Sequence, residues 1–155
     1  MRRLSLALLV PALAAASASA GPTLAVETPG GEPAELVLRQ GERALIVHFW
    51  ATWCSGCIVE LPVLAAARKR CRHRNVRIVE VNVGEEPSQV DRFIEDHGLE
   101  VQSWFDRDAS TWRSLRAHGL PVTLTWTAAG QSLEVGPRNA VWWSNTLASV
   151  GCDGV

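Results

Sequence analysis

The chain has 155 residues, 47% of them hydrophobic, and its 15 Lys and Arg against 16 Asp and Glu leave a formal net charge of −1. A balance so near neutrality argues against general nucleic-acid binding, which draws on a strongly basic surface. The length suits one domain with an adequate core.

At the N-terminus, Arg2 and Arg3 precede an apolar stretch over 4–16, broken by Pro11, and then the small residues Ala18, Ser19 and Ala20. This pattern predicts a secretory signal over 1–20, cleaved before Gly21. A membrane anchor is the competing reading, but the stretch is short of the roughly 20 residues a span needs. Gly21 stands where a lipoprotein would carry Cys. The expected mature domain is 21–155, and loss of two arginines takes its net charge from −1 to near −3. Export, most simply to a periplasm, places all four cysteines in an oxidising compartment, where disulfides persist.

Short extended pieces over 23–27 and 34–39 flank the turn cluster 28–33 and form a hairpin-like lead-in. The apolar run 44–50 is a core strand, and a helical pattern over 55–70 follows with Pro62 inside it, where a kink is expected. Val76, Ile78, Val81 and Val83 mark a largely buried strand over 76–83. A helix over 87–97, stopped by Gly98, a short strand at 103–105 and a helix over 108–117 come next. Strands over 122–127 and 133–135 flank residues 128–131 as an antiparallel hairpin, and a last helix runs from Asn139 to about Val150. No internal repeat or low-complexity stretch is present, and the order predicts an α/β layer fold with helices on both faces.

The chemistry concentrates where the core strand meets the first helix, at Trp53-Cys54-Ser55-Gly56-Cys57. A helix start presents unpaired N–H groups and a positive dipole end, which stabilise a thiolate on the first cysteine. The second, one turn on, is placed to close a disulfide. A Cys-x-x-Cys is also half a zinc site, although no second Cys-x-x-Cys or His-x-x-x-His completes one. The basic cluster of Arg68, Lys69, Arg70, Arg72, His73 and Arg74 complements the negative end of the same helix, or serves as a docking patch for an acidic partner.

Residues 49–57, Phe-Trp-Ala-Thr-Trp-Cys-Ser-Gly-Cys, resemble the active-site segment of the thioredoxin superfamily, and Gly119-Leu120-Pro121-Val122-Thr123 resembles its cis-proline loop. Glu60-Leu61-Pro62, the segment 79–84 and the block 104–108 are similar to the TlpA/ResA-like periplasmic branch. The resemblance covers about 24–150. It implies a thioredoxin fold, with a central mixed sheet, helices on both faces and an N-terminal β extension. It also implies a thiol–disulfide oxidoreductase in which Cys54 is the exposed nucleophile and Cys57 the buried resolving thiol. No cofactor is implied. Pro121 would take a cis bond facing the disulfide, with a trans proline at a strand start as the alternative. Leu120 would then offer its backbone to an extended substrate peptide, and Trp53, next to the nucleophile, would contribute to a docking surface.

The resemblance casts Glu60 as proton acceptor for the resolving cysteine, against the plainer reading of a solvated helix charge. His48 stands where thioredoxins proper carry a buried acid, so it either joins the proton route or is a satisfied core histidine. Cys71 lies fourteen residues beyond Cys57, about 21 Å along a helix, too far to resolve the active-site thiol. In a thioredoxin-like fold the first and last helices end near one another, which implies a structural Cys71–Cys152 disulfide; two unpaired thiols are the alternative. Trp112, Trp126, Trp142 and Trp143 default to core packing or a partly exposed apolar surface.

The expected activity is reduction of partner-protein disulfides by an exported enzyme fed by a membrane-borne thiol donor, with cytochrome c apoproteins as one substrate suggested by the resemblance. The Ser55-Gly56 dipeptide tunes the potential, and related enzymes span about −270 to −120 mV, so the residues alone do not set the direction. The rival readings are a copper chaperone using the same soft thiolate pair and a binding module without turnover. Oligomeric state is left open by the sequence.

Overall fold

Three strands form the middle of a mixed sheet because most of their side chains are buried on both faces. In the computed structural model, which describes residues 23–152, these are β3 (Ala44–Trp50), β4 (Val76–Val83) and β6 (Val122–Thr127). β3 is buried at every position, pairs in parallel with β4 and antiparallel with β6, and so reads in sequence as an apolar run interrupted by His48 alone. Four more strands complete the sheet: β1 (Leu24–Glu27), β2 (Pro33–Leu36), β5 (Trp104–Asp106) and β7 (Gly130–Val135). The order is β2-β1-β5-β4-β3-β6-β7, which places the N-terminal hairpin at one edge and the C-terminal hairpin at the other.

Helices cover both faces. Leu45, Val47 and Phe49 of β3 point into one layer with Val79, Val81, Val122, Leu124 and Trp126, where Trp112 and Leu115 pack from α4 (Ser110–Ser114) and its end. Ala44 and Ile46 point the other way, against Leu64, Ala67 and Cys71 of α2 (Leu61–Cys71) and Trp143 and Leu147 of α5 (Ala140–Ser149). Toward the end of β3, Trp50 joins Leu61, Phe105 and Val90, the last from α3 (Pro87–Asp96).

Several bounds differ from those read in the sequence, each for a physical reason. The 55–70 helix is two: α1 (Ser55–Ile58) stops, and α2 begins at Leu61 with Pro62 in its first turn, so the proline starts a helix where the ring needs no donor and kinks nothing. The 108–117 helix shrinks to α4 because Ala109 and Arg116 both adopt left-handed backbone, at φ 57° and 55°. β7 extends back to Gly130, leaving Ala128 and Ala129 as a two-residue turn. The lead-in is an antiparallel β1–β2 pair turned through Gly31 at φ 87°, a value that glycine adopts without strain. The predicted signal over 1–20 lies outside the described residues.

Candidate active site

The last residue of β3 is the fully buried Trp50, whose indole N–H donates to Ser103 Oγ at 3.1 Å. From this anchor the chain turns through Ala51, Thr52 and Trp53 into α1. Glu85, just past β4, fixes that turn: its carboxylate accepts from the Thr52 backbone N–H at 2.8 Å, from the Thr52 hydroxyl, and from the Asn82 amide at 2.7 Å. Trp53 is left 70% exposed.

Cys54 is the N-cap of α1, and its Sγ accepts from the Cys57 backbone N–H at 3.2 Å. The two cysteines are joined as a disulfide with Cα atoms 5.2 Å apart. Cys57 has no exposure and Cys54 only 7%, so the residue read as the exposed nucleophile is largely buried in the disulfide form. An N–H aimed at Sγ is the arrangement that stabilises a thiolate once the disulfide opens.

The Leu120–Pro121 bond is cis. The Pro121 carbonyl accepts from Gly136 N–H at 2.8 Å, which ties the start of β6 to the loop after β7. That loop rests on α1: a Cβ added to Gly56 would lie 3.3 Å from the Pro137 ring and 3.7 Å from Pro121 Cδ. The Cys-x-x-Cys turn, the cis-proline strand and the 136–138 loop meet at Gly56, where a side chain would require the Pro137 ring to give by a few tenths of an ångström. Leu120 is half-buried beside the cluster that holds both cysteines.

Glu60 sits at the junction of α1 and α2, where its backbone N–H donates to the Cys57 carbonyl at 3.0 Å. It is not a solvated helix charge, being 2% exposed. Its Oε1 accepts from the Arg138 backbone N–H at 2.9 Å and from the Trp143 indole N–H at 2.8 Å, while Oε2 has no partner among the described residues. Burial pushes the carboxyl above the usual range, and the two N–H donors only partly offset this.

His48 is fully buried on β3, on the face turned toward α5. Its Nδ1 lies 3.0 Å from Thr123 Oγ1, its ring packs edge-on to Trp143 at 5.9 Å, and its Nε2 has no partner among the described residues. Burial lowers its pKa to about 3, so the imidazole is neutral at ordinary pH. At the far end of α2, Cys71 and Cys152 are joined as a second disulfide, with Cα atoms 5.5 Å apart. Among the described residues, no group of three or more His, Cys, Asp or Glu is arranged to hold a metal ion.

Cys54, Cys57, Glu60, His48, Trp53, Leu120 and Pro121 are legible in the sequence. Glu85, Gly136, Pro137 and Arg138, together with Trp143, which reads in sequence as a core tryptophan only, hold the site from 28 or more positions beyond Cys57 and carry no motif of their own.

The family model described as AhpC/TSA matches residues 19–131. The thiol-disulfide oxidoreductase ResA of Bacillus subtilis is 30% identical over 117 residues, covering 76% of this chain and 65% of that protein. The chain thus spans a little under two thirds of this curated relative. Among solved structures, that of a candidate thiol:disulfide interchange protein DsbE from Chlorobium tepidum superposes with a TM-score of 0.71 at 22% identity, over 85% of this chain and 96% of that one. A secreted disulfide oxidoreductase of Mycobacterium tuberculosis, homologous to E. coli DsbE, gives a TM-score of 0.66 at 19% identity, over 81% and 94%. Identities at this level speak for the shared thioredoxin fold.

Proposed function

The chain belongs to the AhpC/TSA family and has the thioredoxin fold, and on that premise we propose that it is an exported thiol–disulfide oxidoreductase of the ResA/DsbE kind that reduces disulfides in partner proteins. The observation that carries this reading is the Cys54–Cys57 disulfide, with the Cys57 N–H on Cys54 Sγ and the cis Pro121 on the neighbouring strand.

In the dithiol form, the Cys54 thiolate attacks one sulfur of the substrate disulfide, forming a mixed disulfide and expelling the other sulfur as a thiolate that takes up a proton. Cys57 then gives its proton to Glu60 and attacks Cys54 Sγ, so the second substrate sulfur leaves as a thiolate that takes up a proton, and Glu60 releases its own before the next cycle. Two electrons pass to the substrate, which gains two thiols, and the cysteines end as the disulfide. No cofactor enters the cycle, because the cysteine pair carries the electrons. Trp53 and the Leu120 backbone receive the extended substrate segment. His48 stays neutral and supports the Trp143 ring, with no proton passing through it.

A membrane-borne thiol donor regenerates the dithiol in an oxidising compartment, the periplasm in this reading. The signal pattern over 1–20 and the secreted relative support export. Trapping tests the cycle: Cys57→Ser should accumulate a mixed disulfide through Cys54 on a disulfide-bonded model protein, and Cys54→Ser should accumulate none. Trapping through Cys57 in the Cys54→Ser variant, or none in either, would overturn the assignment.

A further inference from the structure

Trp143 lies in the first turn of α5, 83 positions from Glu60, yet its indole N–H ends on the Glu60 carboxylate. The Trp143 ring is fully buried, edge-on to His48 on one side and to Trp142 at 4.9 Å on the other, which fixes the direction of its N–H. The second donor to the same oxygen, the Arg138 N–H, comes from a loop that is itself held. Gly136 N–H is bonded to Pro121, Pro137 lies against Gly56, and the Arg138 side chain reaches Glu134 at 2.7 Å and lies 5.7 Å from the centre of the Trp142 ring. Asn139 then caps α5 by accepting from Trp142 N–H at 2.9 Å. Both donors engage Oε1, leaving Oε2 buried and without a partner among the described residues.

We propose that Trp143 is a positioning residue for Glu60, with the Arg138 backbone as its second support, so that Oε1 is held and Oε2 is the oxygen presented for proton exchange. The inference rests on the reading of Glu60 as acceptor for Cys57. A donor to the carboxylate stabilises its charged form, so removing the indole N–H drives Glu60 further toward the protonated state. Around the site, His48 on β3 is neutral, Arg138 is paired with Glu134 of β7, and Glu80 of β4 is paired with Arg68 of α2 at 2.7 Å. Glu80 lies opposite His48 in the β3–β4 register, and burial raises its carboxyl too, so Glu60, Glu80 and the cysteine thiols are the groups that titrate there.

The test follows the Glu60 carboxyl by 13C NMR and the alkylation rate of Cys57 by mass spectrometry, both against pH, in the dithiol form of the full chain. Trp143→Phe removes the donor. Trp143→benzothienylalanine removes only the N–H and keeps the ring, so a folding defect of the Phe variant leaves the question answerable. The expected result is a Glu60 midpoint raised by about one pH unit in either variant, the worth of one hydrogen bond to a charged group, with the Cys57 profile moving in step and Glu60→Gln abolishing that limb. An unmoved Glu60 midpoint with benzothienylalanine would overturn the positioning role even if Glu60→Gln alters the Cys57 profile. A Cys57 profile indifferent to Glu60→Gln would instead overturn the acceptor reading on which the proposal rests.

Discussion

Burial moves Glu60 and His48 toward the same neutral state from opposite sides, and the two consequences are separable by pH. For His48, the folded-state value of about 3 lies below the ordinary 6.5, so the unfolded chain binds the proton more readily. The stability associated with the neutral ring is therefore complete above about pH 6.5 and is lost as pH falls toward 3. At pH 4.5 this amounts to about 2–3 kcal/mol. Urea titrations of the wild type and His48→Gln at pH 7.5 and 4.5 should show a smaller acid loss in the variant; equal losses would mean that other groups dominate. Glu60 has the reverse sign. Its raised folded-state value favours the protonated, folded form at low pH, and that contribution disappears as pH rises through the folded value. Glu60→Gln should accordingly flatten the acid limb of disulfide-exchange rate against pH while relieving the cost of a buried carboxylate at neutral pH.

At the scale of elements, the parts legible in the sequence are those whose burial is local. β3 and β4 are buried on both faces, so the apolar run of β3 and Val76, Ile78, Val81 and Val83 of β4 mark their bounds. The helical pattern overruns α4 because Ala109 and Arg116 take left-handed backbone with neither Gly nor Asn to announce it. β7 was underestimated because Gly130, Gln131 and Ser132 are exposed on an edge strand and look like loop. The site divides the same way. Cys54, Cys57 and Glu60 are neighbours in sequence, whereas Glu85 reaches Thr52 from 33 positions away and Trp143 reaches Glu60 from 83, separations that only the closed sheet reveals. Glu85 carries a prediction at this level. Glu85→Ala should cost about 1–3 kcal/mol in a urea titration, since Thr52 and Asn82 lose a charged acceptor, and it should slow exchange by loosening the turn into Cys54.

Across the whole molecule, one cysteine pair sits where a strand feeds a helix and the other ties the ends of α2 and the chain after α5. Their surroundings differ. Cys54 is beside the exposed Trp53, whereas Cys71 and Cys152 are buried with Leu147 and Val150. The Cys71–Cys152 bridge, 81 positions apart, contributes about 4–5 kcal/mol at most in the chain-entropy model. The Cys71→Ser, Cys152→Ser double variant should therefore unfold at clearly lower temperature in calorimetry, yet keep the redox behaviour of Cys54 and Cys57. The most direct test of the proposed function is the reduction potential of the Cys54–Cys57 pair, titrated against dithiothreitol or glutathione with tryptophan fluorescence as readout. The account predicts a reversible two-electron transition confined to that pair, nearer thioredoxin's value of about −270 mV than the roughly −120 mV of a strong oxidant. A value at the oxidising end would contradict the reductase direction, and thiols held by a copurifying metal with no reversible transition would contradict the oxidoreductase itself.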